Sequence, residues 1–343
     1  MTHIPVIDLG GLDNSATDRD IAALIDTACQ DIGFLVISNH GISEQIISDC
    51  WQQNLNFFDQ PLAERMAIAL PQPGYPYGYG PLSNETLSRS LGEESPPDLK
   101  EGFAVGPLHR PDRLLEDEEA SFVYAPNLWP DNPPGLRPAF EAYITAMDTL
   151  AQRLMRLFAM ALDLPVSFFE PMINEPISAC RANHYPALEK PPIEGQLRAG
   201  AHSDYGSLTL LFQEEGLSGL EILNRQKKWT PVAQCKPEMI VNLGDLMERW
   251  TNGRWISTLH RVNLPETNKN SNQSRMSLAF FHQPDWDARI ECLPMCVSPG
   301  ETAKYSVVTS GRHLMERFHS TVLDVDESTF SQIEEKNKKI KGK

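Results

Sequence analysis

Cysteines are few and long apolar runs are absent from this sequence of 343 residues. The six cysteines are scattered over the whole chain, whereas a small secreted domain needs a dense cysteine framework, so we expect reduced thiols. No window approaches the roughly 20 consecutive apolar residues that cross a bilayer. The first residues also lack the basic and apolar regions of a secretory signal. These absences predict a cytoplasmic protein with no membrane partner.

Basic charge is also scarce. The chain has 30 lysine and arginine residues against 46 aspartate and glutamate residues, a formal net charge of −16. A phosphate backbone would repel a protein with a pI near 5.0, so the composition predicts no nucleic-acid partner. The one basic stretch, residues 336–343, is expected to be a solvated tail. The hydrophobic fraction of 41% is sufficient for a large core, and the length predicts one or two domains.

The spacing of apolar residues predicts helices early in the chain and strands later. Residues 4–58 predict the order strand, helix, strand, helix, with Thr17 expected to cap the first helix and Ser43 the second. Residues 137–164 keep one apolar stripe and predict a long helix. Short apolar runs then follow between turn signals, at residues 207–212, 219–223, 238–242, 257–262 and 275–281. Strands at this spacing are typical of a sandwich or barrel and not of repeated βαβ units.

A proline-rich segment lies between these regions. Residues 71–135 hold 12 of the 27 prolines and the aromatic run Tyr75–Tyr79. Because proline fixes φ and removes a backbone donor, we do not expect a run of regular elements here. A connection of this length indicates either a lid over a binding site or an ordered surface wrap without such a role.

A histidine and a carboxylate stand two positions apart in the segment 199–206. Alternate residues of a strand point to the same face, so His202 and Asp204 can converge on one point. An imidazole nitrogen and a carboxylate oxygen suit a divalent metal of borderline or harder character. A third ligand is needed, because a simple hydrogen bond at the start of a strand explains an isolated pair equally well. His260 is the candidate, since strand signals flank it, whereas most other histidines lie in termini or loops.

A carboxylate receptor is predicted on the next strand. Arg275 and Ser277 again stand two positions apart, and an arginine fork beside a hydroxyl group is well suited to bind a carboxylate. Two histidines, one aspartate and this pair therefore predict a metal that works with an acidic cosubstrate. A zinc clip at Cys292 and Cys296 is an alternative metal site, although two thiols in or near a strand explain that pair without a metal.

With these residues in place, the chain resembles the isopenicillin N synthase-like branch of the iron(II)- and 2-oxoglutarate-dependent dioxygenases. The motifs that carry the likeness are Asn183-His-Tyr185-Pro, His202-Ser-Asp204, His260 and Arg275-Met-Ser277. Further similar stretches are residues 4–8, 33–41, 98–103, 219–222, 241–245 and 278–281. The chain departs from the family in a longer polar insert at 266–274, which a surface loop tolerates. It also carries His184 where an aromatic residue is common, expected to tune the oxoacid site at most.

The resemblance implies a mainly β fold with flanking α-helices, built on a distorted double-stranded β-helix, or jelly roll. It divides the chain into three parts. The first is an N-terminal α/β region with the proline-rich covering loop at 1–135, and the second is a long helix plus the catalytic core at 136–320. A C-terminal helix or basic tail at 321–343 completes the chain. A monomer or a simple homo-oligomer is expected.

By the same resemblance, His202, Asp204 and His260 are the catalytic metal ligands and bind Fe(2+), which leaves positions open for 2-oxoglutarate and O2 as cosubstrates. The reaction converts 2-oxoglutarate into succinate and CO2 and oxidises a C–H bond of a small-molecule substrate. Hydroxylation is the default outcome, and desaturation or cyclisation uses the same ligands. Ascorbate is expected to act as a supporting reductant.

The cosubstrate and the substrate have separate candidate residues. Arg275 and Ser277, helped by Tyr185, are implied to bind the distal carboxylate of 2-oxoglutarate, with Asn183 near its other end. The aromatic residues that could contact the primary substrate are Phe281, which shares a strand face with Arg275, and Tyr77, Tyr79 and Phe103 from the proline-rich segment.

Three other functions stay open from the sequence. One is an oxidase that uses O2 without an oxoacid, as isopenicillin N synthase does, and Arg275 and Ser277 are compatible with it. Another is a jelly-roll binding protein without catalysis, which an intact triad disfavours. The third is a zinc hydrolase with the same ligands. Succinate formation separates the first from an oxoacid-dependent oxygenase, and iron-dependent O2 uptake separates the other two.

Overall fold

The computed structural model describes residues 4–10, 15–188, 191–213, 215–234, 237–264 and 273–322. The basic stretch 336–343, nearly all of the predicted C-terminal part 321–343 and residues 266–272 of the polar insert lie outside these ranges. None of the described helices is both long enough and apolar enough to span a membrane.

The described residues form seven α-helices and fourteen strands. The helices are α1 (Ser15–Asp31), α2 (Glu44–Phe58), α3 (Leu62–Met66), α4 (Asp117–Ser121), α5 (Leu136–Ala161), α6 (Asp245–Trp250) and α7 (Ser310–Val322). The strands are β1 (Val6–Asp8), β2 (Phe34–Ser38), β3 (Gly78–Gly80), β4 (Glu101–Val105), β5 (Ala179–Tyr185), β6 (Ala199–His202), β7 (Leu208–Gln213), β8 (Gly216–Leu223), β9 (Trp229–Gln234), β10 (Met239–Leu243), β11 (His260–Val262), β12 (Arg275–His282), β13 (Arg289–Ile290) and β14 (Val308–Thr309). Short 3-10 turns lie at Leu87–Leu91, Glu170–Met172 and Pro294–Cys296.

Two sheets form the β core. The larger has the order β1-β2-β10-β7-β12-β5-β4-β3, and the smaller has the order β6-β11-β8-β9. Only the β1–β2 pair of these sheets is parallel. Apolar side chains of the two sheets pack against each other in one cluster, which includes Phe34 and Ile240 from the larger sheet and Leu220 and Ile222 from the smaller. The expected jelly-roll architecture with flanking helices is confirmed.

The long helix α5 covers the opposite face of the larger sheet. Its apolar stripe, including Phe140, Met147 and Phe158, is fully buried and belongs to the same cluster as Leu278 and Phe280 of β12. Burial of this stripe stabilises the helix far more than its intrinsic propensity does. The face of the sheet that points away from α5 is therefore the one left for a binding site.

The structure corrects two local predictions. Helix α1 begins at Ser15, so Thr17 lies within its first turn and is not the cap. Ser43 is the cap of α2 as predicted, because its side chain accepts a hydrogen bond from the Gln45 backbone N–H at 3.2 Å. The proline-rich segment is not free of regular structure, since β3 and β4 extend the larger sheet. Neither strand contains a proline. Every residue of both strands therefore keeps its backbone N–H, which is the donor that sheet pairing needs.

Candidate active site

Three side chains from the smaller sheet and its flanking turn converge at one point. His202 and His260 are directly paired on β6 and β11, and Asp204 lies two residues after His202. The Nε2 atoms of His202 and His260 lie 3.9 Å and 3.7 Å from Oδ1 of Asp204. One ligand atom from each residue lies within 4.8 Å of the others, and no other group of this kind exists among the described residues. Within that part of the chain, the zinc alternative at Cys292 and Cys296 therefore has no third ligand.

Backbone carbonyl groups fix the protonation of both imidazoles. Nδ1 of His202 lies 2.8 Å from the Gly200 carbonyl oxygen, and Nδ1 of His260 lies 3.0 Å from that of Thr258. A carbonyl oxygen can only accept a hydrogen bond, so each Nδ1 carries a hydrogen and Nε2 is the ring atom of each histidine that faces Asp204. Burial lowers the pKa of His202 to about 3, which keeps that ring neutral and able to bind a metal.

Two polar side chains orient the carboxylate. Oδ2 of Asp204 accepts hydrogen bonds from Oγ1 of Thr209 at 2.5 Å and from Nδ2 of Asn242 at 2.7 Å. Burial raises the pKa of Asp204, but His260, His202 and these two donors outweigh it and hold the pKa below its ordinary value. The donor set, two imidazole Nε2 atoms and one ionised carboxylate whose Oδ1 faces them, fits a divalent transition metal. Polar residues within the apolar strands β7 and β10 were the signal that could have identified Thr209 and Asn242.

The predicted oxoacid residues lie on neighbouring strands of the larger sheet. Arg275 of β12 is paired with Tyr185 of β5, and Ser277 is paired with Asn183. All four line one cavity of about 210 Å³ together with the histidines and the aspartate. Tyr185 and Ser277 both line the cavity beside Arg275, and burial raises the pKa of Tyr185 to about 12. The guanidinium of Arg275 thus lies beside two neutral hydroxyl groups, as a carboxylate receptor requires.

A second arginine strengthens the positive charge at this end. Arg198 is only 3% exposed, and its Nη1 donates to the Pro186 carbonyl oxygen at 2.6 Å. Burial and the nearby charge of Arg275 lower the pKa of Arg198. Sequence reasoning missed this residue, because its backbone partner is not visible in any local pattern.

Two of the four predicted substrate residues face the cavity. Phe281 and Tyr77 are among its lining residues, and the hydroxyl of Tyr77 donates to the Val123 carbonyl oxygen at 2.8 Å. The prediction for Tyr79 and Phe103 is corrected. They are paired with each other, both are fully buried, and they pack in the cluster that includes α5. The register of β3 and β4 turns them to the face of the sheet opposite the cavity.

His184 is turned the same way. Its ring stacks on Phe58 with centroids 4.7 Å apart, and its Nδ1 lies 2.7 Å from Oε1 of Glu101. It therefore does not flank the oxoacid residues as expected, since its neighbours Asn183 and Tyr185 point to the other side of β5. One further cavity wall was not predicted at all: α7 contributes Leu314, Phe318 and Thr321.

Fold and site together define a jelly-roll protein in which a two-histidine, one-carboxylate cluster shares a cavity with a carboxylate receptor. Models of two families match the chain. Residues 4–132 match the non-haem dioxygenase in morphine synthesis N-terminal family, and residues 176–284 match the 2OG-Fe(II) oxygenase superfamily.

Individual relatives extend this match over nearly the whole chain. A homoarginine-6-hydroxylase from Oryza sativa subsp. japonica is 31% identical over 92% of this chain and 96% of its own length. A validamycin A dioxygenase from Streptomyces hygroscopicus subsp. limoneus is 30% identical over 92% of this chain and 85% of its own. Among solved structures, a full-length Neurospora crassa protein in complex with alpha-KG and thymine aligns with a TM-score of 0.80 at 26% identity, covering 92% of this chain and 96% of that one.

The chain belongs to the 2OG-Fe(II) oxygenase superfamily. It is a 2-oxoglutarate-dependent dioxygenase, an oxidoreductase that uses Fe(II), 2-oxoglutarate and O2. Its relatives act on small molecules.

Proposed function

We propose that His202, Asp204 and His260 hold the Fe(II) of this enzyme. The contacts that support this role are the two Nδ1 bonds to backbone carbonyl groups and the two hydrogen bonds to Oδ2 of Asp204. They orient three lone pairs towards one point before any metal arrives, and such supporting bonds strengthen metal binding. The iron supplies the oxidative chemistry, and the chain decides which bond of the substrate lies beside it.

Arg275 and Ser277, with Tyr185, bind the distal carboxylate of 2-oxoglutarate, and Asn183 lies nearer the metal end. Arg275 starts β12 and Ser277 follows on the same face, so both donors point into one cavity. Arg198 behind Arg275 raises the local positive potential, which favours a dianion such as 2-oxoglutarate over a neutral ligand.

The enzyme hydroxylates a small-molecule substrate in the apolar part of the same cavity, where Phe281 and the ring of Tyr77 form part of the wall. The names of two relatives, a homoarginine-6-hydroxylase and a proline hydroxylase, favour hydroxylation over desaturation or ring closure. The division at 1–135, 136–320 and 321–343, a monomer or simple homo-oligomer, the absence of a nucleic-acid partner and a cytoplasmic location stay predictions.

The observation that carries this proposal is the shared cavity of the metal cluster and Arg275. The experiment is a screen for succinate release across candidate substrates with Fe(II), ascorbate and 2-oxoglutarate. We expect succinate to form in equal amount to an oxidised product, and expect none with Zn(II) in place of Fe(II). Product formation without succinate would instead establish the oxidase alternative.

A further inference from the structure

The cavity holds a second group of charged side chains that the metal and the oxoacid do not use. Arg181 lies on β5, two residues before Asn183 and on the same face, and Glu85 and Lys100 approach it from the segments before β4. The exposed fractions of the Arg181, Glu85 and Lys100 side chains are 22%, 7% and 5%. Arg181 is therefore the member of this group that a ligand can reach.

Both cations of the group contact its one carboxylate. Nζ of Lys100 lies 2.5 Å from Oε1 of Glu85, and Nη1 of Arg181 lies 3.0 Å from Oε2. Both oxygens of the one carboxylate are thus occupied by two cations. Nε of Arg181 is buried without a hydrogen-bond partner in the described residues. Two cations against one carboxylate leave the group with an excess of positive charge, which favours an anionic ligand at the accessible part of the guanidinium.

A further carboxylate lies behind this group. Asp98 is 1% exposed and accepts hydrogen bonds from the backbone N–H groups of Leu87 at 3.2 Å and Gly200 at 2.9 Å. It is not part of the described cavity wall, so it moderates the positive charge without competing for the accessible side of Arg181.

Gly102 provides the space in which the guanidinium lies. It is paired with Asn183 across β4 and β5, and a Cβ atom placed on it would lie 2.6 Å from Nε and 2.9 Å from Nη2 of Arg181. A side chain at position 102 would therefore displace the guanidinium. The position of Arg181 is set by the backbone of the neighbouring strand as well as by Glu85.

The other residues of the cavity wall indicate the chemical class of the ligand. Many of them are apolar, among them Leu87, Phe122, Ile177, Leu314 and Phe318. The carboxylates among the described lining residues are Glu85 and Asp204. Glu85 is paired with its two cations and Asp204 belongs to the metal cluster, so neither carboxylate is free to pair with a cationic group of a substrate.

We propose that Arg181 binds a carboxylate of the primary substrate and that the remainder of the substrate is apolar and without a positive charge. This inference rests on the proposed function and specifies its substrate class. Arg181 lies four residues before Tyr185, the partner of Arg275, which is about 13 Å along an extended strand. The cavity can therefore hold the oxoacid at one arginine and the substrate at the other.

The test uses a series of phenylalkanoic acids from phenylacetate to 5-phenylpentanoate, each with its primary amide and the phenylalkylamine of equal length. Dissociation constants are measured by calorimetry on the enzyme loaded with Fe(II) and 2-oxoglutarate without O2, and succinate release is measured with O2. We expect at least one acid to bind about tenfold or more tightly than its amide and its amine, as a charge-assisted hydrogen bond predicts.

Three variants assign that preference to Arg181. In Arg181→Gln, which keeps the Lys100–Glu85 ion pair, acid binding should fall about 30-fold or more, while amide binding changes little. Gly102→Ala keeps all three charges and should weaken acid binding in the same direction. Arg137→Gln, at a position on α5 whose side chain is 63% exposed, is the matched control and should change neither.

Equal binding of acids and amides by the wild type would overturn the proposal, and so would an equal loss of both in Arg181→Gln. The dissociation constant of 2-oxoglutarate separates this failure from failure of the proposed function. It should stay within twofold in Arg181→Gln. A rise there would make Arg181 the oxoacid receptor and contradict the substrate assignment.

Discussion

The two faces of the larger sheet have different roles, although the same strands form both faces. On β5 and β12, every second residue lines the cavity, namely Ala179, Arg181, Asn183, Tyr185, Arg275, Ser277, Ala279 and Phe281, and Cys180 and Met276 also contribute to its wall. The residues between them that pack on the side of α5 are Cys180, Ala182, Met276, Leu278 and Phe280. Successive side chains of a strand point to opposite faces of the sheet. On β5 and β12, residues that face the cavity therefore alternate with residues that pack in the core on the side of α5.

The positions of Arg275, Ser277, Asn183 and Tyr185 are therefore set by the register of β5 and β12 and not by a loop. A slip of one residue between β5 and β12 would exchange the faces and place Arg275 in the apolar core. Substitutions of adjacent residues should therefore change different quantities. A residue on the α5 face should affect the free energy of unfolding, and a residue on the cavity face should affect ligand binding.

The largest effect is expected at the metal cluster. His202→Ala, Asp204→Ala and His260→Ala should each abolish turnover, because two ligands hold a metal much more weakly than three. Succinate release and iron content of the purified protein are the measurements, and circular dichroism checks that the fold is intact. Normal iron content with retained activity in Asp204→Ala would remove that residue from the metal site.

Adjacent phenylalanines give the sharpest contrast between the faces. Phe280 is completely buried on the side of α5, whereas Phe281 is partly exposed to the cavity. Phe280→Ala should lower the free energy of unfolding by about 3–5 kcal/mol, the cost of a core cavity, without changing the KM for 2-oxoglutarate. Phe281→Ala should cost less stability and change substrate binding. The measurements are urea unfolding and steady-state kinetics of both variants. Equal losses of stability in Phe280→Ala and Phe281→Ala would contradict the different roles of the two faces.

Arg275→Lys tests the cavity face at the end where we propose that the oxoacid binds. A lysine keeps the charge but not the planar fork. The loss of a paired charge in a partly dry pocket costs on the order of 2–5 kcal/mol, so the KM for 2-oxoglutarate should rise roughly thirtyfold to several thousandfold. The KM for the primary substrate should change little. If the 2-oxoglutarate KM stays within a factor of two, the oxoacid binds elsewhere.

The smallest effect is expected for Ser277→Ala, which removes one neutral hydroxyl group that shares the cavity face of β12 with Arg275. The expected cost is on the order of 1 kcal/mol in 2-oxoglutarate binding. Its matched control is Ala279→Ser two residues further along the same face, which should leave 2-oxoglutarate binding unchanged. A larger effect of Ser277→Ala than of Arg275→Lys would reverse the proposed roles.

The alternation of side chains explains what the sequence could predict. It brought together His202 with Asp204 and Arg275 with Ser277, because each pair lies within one short segment. The same rule applied to Asn183 and Tyr185 would also have selected Arg181. It could not select Glu85 or Lys100, which reach the cavity from irregular segments.

A different reason explains why the sequence could not predict which face of the sheet Tyr79 and Phe103 occupy. An aromatic residue suits a substrate wall and a core equally well, and the pairing of β3 and β4 with β5 decides between them. That register depends on residues about eighty positions away, such as Ala182, the partner of Phe103. Long-range pairing of this kind leaves no local sequence signal.

The supporting bonds of the metal cluster differ in how mutation can reach them. Both histidines are oriented by main-chain carbonyl groups two residues earlier in the chain, and every residue type supplies such a group. The carboxylate instead relies on Thr209 and Asn242, two side chains that a single nucleotide change can replace. A substitution two residues before either histidine therefore keeps a carbonyl acceptor, whereas a substitution at Thr209 or Asn242 removes a hydrogen bond to Asp204 while all three candidate ligands remain present.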